Sequence, residues 1–142
     1  MAELVYLDAS VKVGTTGALV DLSDHVRSVT ITYSAELHDK TAMGSSGRKR
    51  IAGLKDFNVA VEFNQDYAAA KVDATLFAYV GSSGKWITVK PHSSATTGIN
   101  PRFYGKVHLP DYTPVAGAVG ELGTVSVTFQ GDGILTRSVA AT

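Results

Sequence analysis

From Lys55 to Phe63 apolar and polar residues alternate: Phe57, Val59, Val61 and Phe63 interleave with Asp56, Asn58, Ala60 and Glu62. A period of two is what a strand with one buried face requires. The same pattern marks Val26 to Tyr33, where Val29, Ile31 and Tyr33 oppose Ser28, Thr30 and Thr32. It returns in Arg102 to Leu109 and in Leu122 to Gln130, the latter with Val125, Val127 and Phe129 on one face. Shorter runs at Leu4 to Leu7, Val11 to Val13, Trp86 to Lys90 and Ile134 to Arg137 predict further strands, separated by Gly-, Ser- and Pro-rich turns. One segment changes period. Ala69, Val72, Leu76 and Tyr79 are spaced as a helix stripe, with Asn64 suited to the N-cap, Asp66 to the first turn and Gly81 to a left-handed stop. This predicts a helix over Asp66 to Val80 that covers the apolar face of the preceding strand.

Between Ser34 and Gly53 neither period holds. Glu36, His38, Asp39 and Lys40 lead into Met43-Gly44-Ser45-Ser46-Gly47 and the basic run Arg48-Lys49-Arg50. A structureless loop of that length is uncommon inside a compact domain unless it serves a function. The expected fold is therefore mostly β: an antiparallel β-sandwich or barrel with one flanking helix at about 66–80 and a long loop at about 34–53. With strands and helices not alternating, a parallel βαβ architecture is excluded, and residues 1–142 read as a single domain.

Composition narrows the function classes. Thirteen basic residues balance thirteen acidic ones, so overall charge recommends neither a nucleic-acid nor a membrane partner. Charged residues are 18% of the chain, below the roughly 25% typical of soluble domains, and a weakly charged, neutral surface favours association. The absence of cysteine excludes disulfides, thiol catalysis and cysteine-ligated zinc. No apolar run approaches the 18 or so residues that span a bilayer, and no membrane anchor or secretion signal is evident, so synthesis and retention in the cytoplasm are expected.

Chemical motifs are sparse. Gly81-Ser82-Ser83-Gly84-Lys85 has the wrong spacing for a phosphate loop, is followed by Trp86, and joins helix to strand rather than strand to helix. The histidines at 25, 38, 92 and 108 show no metal-ligand spacing, and Glu36, Glu62 and Glu121 would pair as a glycosidase does only by coincidence of folding. No catalytic, cofactor or metal site is indicated. Trp86, Tyr104 and Tyr112 are candidate stacking residues for an alternative reading, a ligand- or carbohydrate-binding β-sandwich module.

The carboxyl half carries a resemblance. Asn100-Pro101-Arg102-Phe103-Tyr104-Gly105, Leu109-Pro110-Asp111-Tyr112-Thr113-Pro114, Gly117 to Leu122, and Thr124 to Phe129 followed by Gly131-Asp132-Gly133 resemble the C-terminal pattern of tailed-bacteriophage major tail (tail tube) proteins. Upstream, the order of long loop, strand and helix is similar as well, so the likeness spans about Tyr33 to Ser138. It implies a non-enzymatic virion protein, assembled in the host bacterial cytoplasm. Six copies form a ring, and rings stack into a hollow tube that conducts double-stranded DNA without binding it specifically. The implied partners are other copies of the chain, a tape-measure protein and a tail terminator protein; no cofactor is implied. The candidate assembly residues are those of the patternless loop: Glu36, Leu37, His38, Asp39, Lys40, Met43, Arg48, Lys49 and Arg50. The loop is expected to be mobile until it reaches the next ring, with Arg48, Lys49 and Arg50 at a ring contact or outside, away from the channel.

Overall fold

A computed structural model describes residues 8–15 and 17–140. The elements are β1 (Ser10–Thr15), β2 (Ala18–Asp21), a 3-10 turn (Ser23–His25), β3 (Val26–Asp39), β4 (Arg50–Asn64), α1 (Val72–Tyr79), β5 (Lys85–Lys90), β6 (Arg102–His108), β7 (Thr124–Gly131) and β8 (Thr136–Ser138). The strand expected at Leu4 to Leu7 lies outside the described residues.

Alternation in β4 is expressed as burial: Phe57, Val59, Val61 and Phe63 are at most 2% exposed. Flanking strands match it in register, with Val29, Ile31 and Val26 opposite Val61, Val59 and Phe63 on one side, and Val127, Phe129 and Val125 opposite the same residues on the other. Residues directly opposed across a ladder share a face, so one β4 face drives three strands into the core. All strands join a single antiparallel sheet in the order β2-β1-β5-β6-β7-β4-β3, with β8 added to β6.

The joint between β6 and β7 is only two residue pairs, Val107 with Gly131 and His108 with Gln130. Here the sheet turns from one half into the other, and a single core draws Val11, Val13, Ile87, Val89 and Val107 from one half and Phe57, Val59, Val61, Val127 and Phe129 from the other. Phe57 wedges into this joint. A Cβ on Gly105 or on Gly131 would fall 2.6 Å from its ring, so both positions require glycine for close approach rather than for a turn. The sheet does not close: between β3 and the β5–β6 pair lies a groove of about 470 Å³, lined by Val29, Ile31, Tyr33, Val89, Phe103 and Leu135.

Two expectations need correction within this fold. First, the helix is Val72–Tyr79 rather than 66–80, and Lys71, not Asn64, occupies its N-cap without a side-chain bond. Asp66 is the reason. Its carboxylate accepts the Ala68 amide at 2.9 Å and the His25 Nε2 at 2.8 Å, its carbonyl accepts the Asp73 amide at 3.0 Å, and Ala70 takes a left-handed φ of 60°. Side-chain bonds to nearby backbone compete with helical hydrogen bonds in this way. Val72 and Leu76 are fully buried, as their spacing predicts, and Gly81 ends the helix at φ 73°.

Second, the segment 34–53 is not a loop. β3 continues to Asp39 and β4 begins at Arg50, with Leu37, His38 and Asp39 paired to Ala52, Ile51 and Arg50 beyond a register shift between Ala35 and Leu37. The two strands leave the body as a paired ribbon, and only residues 40–49 form its tip. The ribbon stands clear of the core, so neither face is buried and no alternation is written into it.

Candidate functional site

The ribbon tip is built by its own polar groups. The Lys40 amide donates to the Lys49 carbonyl at 2.8 Å, the Lys49 amide to the Thr41 hydroxyl at 2.8 Å, and the Thr41 amide to Asp39 Oδ1 at 2.8 Å. Arg48 Nη1 donates to Asp39 Oδ2 at 2.8 Å. Hydrogen bonding from Thr41, side chain first and then backbone, and from Arg48 holds the Asp39 carboxyl below its ordinary value. Glu36 lies 3.6 Å from His38 on the same strand.

The candidate residues Glu36, Leu37, His38, Asp39, Lys40, Met43, Arg48, Lys49 and Arg50 are thus brought together on one projecting element, and every one of them is exposed. Its apolar side chains face water as well: Leu37 at 65%, Ile51 at 54%, Leu54 at 78% and Met43 fully. Charge on this element is unbalanced, with Lys40, Arg48, Lys49, Arg50 and Lys55 against Glu36, Asp39 and Asp56. Among the described residues no carboxylate lies within ion-pair reach of Lys40, Lys49, Arg50 or Lys55.

The two outer faces of the folded sheet differ in kind. On the β3–β4–β7 half, the register sets three cross-strand rows: Ser28, Glu62 and Ser126; Thr30, Ala60 and Thr128; Thr32, Asn58 and Gln130. Short hydroxyls and amides fill these rows, and Glu62 is their one charge. The β5–β6 half instead carries Arg102, Tyr104 and Lys106 beside Trp86. Arg102 lies 4.4 Å from the Tyr104 ring centroid and Lys106 lies 6.0 Å from that of Trp86, while the two rings stand 6.3 Å apart at 40°. Tyr112 stands away from this pair. Its hydroxyl donates to Asp73 Oδ1 at 2.8 Å and accepts from Gln65 Nε2 at 2.8 Å, which fixes the β4–α1 corner. Burial first, with the Asp73 contact adding, pushes the Tyr112 phenol up to about 12. The three aromatics weighed as a sugar platform are therefore not assembled into one.

Each histidine meets its own acid: His25 bridges Asp24 and Asp66, His38 meets Glu36, His92 lies 3.8 Å from Asp8, and His108 lies 3.1 Å from Asp132. Among the described residues no group of three or more His, Asp or Glu is placed to hold a metal ion. Glu36 and Glu62 sit at opposite ends of the β3–β4 pairing, and Glu121 accepts the Ala118 amide within a loop, so these carboxylates do not converge. The Gly81 to Gly84 segment is the turn between α1 and β5. Among the described residues no helix is long and apolar enough to cross a membrane.

No protein-family model and no curated protein matches the chain. Solved structures do. A chain of the tail of an empty gene transfer agent (GTA) particle, determined by helical refinement in C6 symmetry, superposes with a TM-score of 0.70 at 18% identity, covering 96% of this chain and 99% of that one. A chain of the native GTA virion gives 0.69 at 16% identity, with 96% and 99% covered. A chain from the sheath–tube complex of PVC, an extracellular contractile injection system in its extended state, gives 0.61 at 15% identity, with 96% and 91% covered. Over nearly its whole length, then, this chain has a fold found in a GTA tail and in a contractile sheath–tube complex, as the resemblance in its carboxyl half implies.

Proposed function

We propose that the chain is the structural subunit of a virion tail tube. Copies join side by side into a six-membered ring, rings stack, and double-stranded DNA passes through the central channel. The observation that carries this reading is the fold shared end to end with a chain of a six-fold GTA tail. The projecting ribbon supports it: Leu37, Met43, Ile51 and Leu54 are exposed together on one arm that has no core of its own. Exposed apolar surface of this kind marks an interaction site. Among the described residues β2 and β3 are the end strands of the sheet order, and neighbouring copies can cover their free edges.

The β3–β4–β7 outer face suits the channel wall. DNA in transit must not be held, and binding to its backbone comes from Lys and Arg neutralising phosphates. On a wall of Ser, Thr, Asn and Gln the Arg27 guanidinium is already paired with Glu62 at 3.6 Å, which leaves little such grip, whereas the Arg102 and Lys106 face would retard passage. Arg48, Lys49 and Arg50 belong to the contact between rings. The chain performs no chemistry in this role and needs no cofactor; a tape-measure protein inside the tube and a terminator at its end are its further partners. The tube is built in the cytoplasm of a host bacterium and functions in the virion tail.

Sedimentation velocity over a concentration series tests the reading. The subunit should pass from a small species to assemblies of very high mass as concentration rises. A single small species throughout would refute it.

A further inference from the structure

At the start of β3, at the far end of the strand from the ribbon tip, lies a cleft of about 600 Å³ lined by Asp8, Ala9, Ser23, Asp24, Val26, Arg27, Ser28 and Val29. The 14 residues of β3 separate the two ends by roughly 45 Å at about 3.3 Å per residue. Their charges are opposite. The segments that line or adjoin the cleft, 8–9, 21–29 and 62, carry Asp8, Asp21, Asp24 and Glu62 against Arg27, while 36–56 carries five basic side chains against three acidic.

Within the cleft the one cation is already engaged: Arg27 lies 3.6 Å from Glu62. Asp24 is 69% exposed and Asp8 45% exposed, although Asp24 also receives His25 at 2.7 Å and has Lys71 at 3.9 Å. The apolar part of the cleft lining is Ala9, Val26 and Val29. The ribbon end presents the complement, carrying wholly exposed Met43 as well as exposed Lys49 and Arg50.

We infer that the cleft at Asp8 and Asp24 receives the ribbon tip of a second copy of this chain, head to tail. Met43 seats against Val26 and Val29, and Lys49 and Arg50 meet the two carboxylates. A contact between unlike surfaces at opposite ends of a subunit propagates as an open stack where its rotation does not close, which is the geometry a stack of rings needs. This inference rests on the tube reading above and names the acceptor that the ribbon requires.

The test compares the wild type, Asp24→Lys, and a charge-swapped chain combining Asp24→Lys with Lys49→Asp and Arg50→Asp. Asp24→Lys should raise the concentration at which high-mass assemblies form by at least about tenfold, since like charges placed opposite each other oppose association, and the swap should restore much of the loss. A second measurement stands even where Asp24→Lys folds poorly. The chain has no native cysteine, so Asp24→Cys protein mixed with Arg50→Cys protein and oxidised should give a disulfide between the two different chains. If the wild type polymerises but Asp24→Lys polymerises equally well, or no mixed-chain disulfide forms, the docking is wrong and the tube reading survives. If the wild type never polymerises, the tube reading fails first and takes the docking with it.

Discussion

The two ends of the β3–β4 ribbon are the same two strands in two environments. Between Phe57 and Phe63 the β4 strand sends every second side chain into the core, where none is more than 2% exposed. Between Arg50 and Asp56 the same strand, still paired to β3, is exposed on both faces. Backbone pairing is equal in kind at both ends; what differs is the covering layer. The comparison teaches that the hydrogen-bonded ladder sets the shape of the ribbon, while burial decides which part of it stabilises the monomer. The uncovered end leaves its apolar side chains in water.

The sharpest way to break this contrast is at Phe57. Phe57→Ala should destabilise the subunit by about 3–5 kcal/mol, as loss of a fully buried aromatic does, read as a drop in denaturant midpoint. Were the loss under about 1 kcal/mol, the joint between the sheet halves would not depend on this ring. At the other end of the strand, Leu54→Ala should change the midpoint by no more than about 0.5 kcal/mol yet reduce assembly.

Next in size is the corner at Tyr112. Tyr112→Phe leaves Gln65 and Asp73 without their shared partner and should cost about 1 kcal/mol, the usual net worth of one hydrogen bond. The phenol also predicts a pH effect. Its folded pKa is raised from 10.0 to about 12, so its neutral form is favoured in the folded chain. That contribution is complete below pH 10 and disappears as pH climbs from 10 through about 12. Melting curves of the wild type should fall more steeply across this window than those of Tyr112→Phe.

Smallest in effect on the monomer are charge changes. Reversing Arg48, Lys49 and Arg50 to Glu should leave the melting temperature nearly unchanged, because surface pairs such as Arg48 with Asp39 contribute little, yet should impair polymerisation. On the rows proposed for the channel, Thr30→Arg with Thr128→Arg should leave folding intact, since both side chains stand on the outer face. Retention of DNA by the resulting tubes, measured against salt, should rise.

How much of this was legible in the sequence follows from the same contrast. Alternation revealed β4 from Phe57 to Phe63, and β7 through Val125, Val127 and Phe129, because one face of each is buried. It was silent on Glu36 to Asp39 and Arg50 to Gly53, where both faces meet water, so a paired ribbon read as a loop. The helix was visible from Val72 and Leu76, but its start was misplaced by Asp66, which bonds the Ala68 amide locally and His25 of a 3-10 turn 41 residues earlier in the chain. The neutral rows through Thr30, Ala60 and Thr128 need strand register, which composition does not carry. Nor does any local pattern bring Asp8 and Asp24 to one cleft.

The central claim is that this chain completes itself with copies of itself. Negative-stain electron microscopy of the purified, concentrated protein tests it most directly: the account predicts rings and hollow stacked tubes, and loss of stacking when residues 41–48 are replaced by a two-residue Asn-Gly turn. A field of dispersed compact particles from the unaltered chain, at every concentration reached, would contradict it.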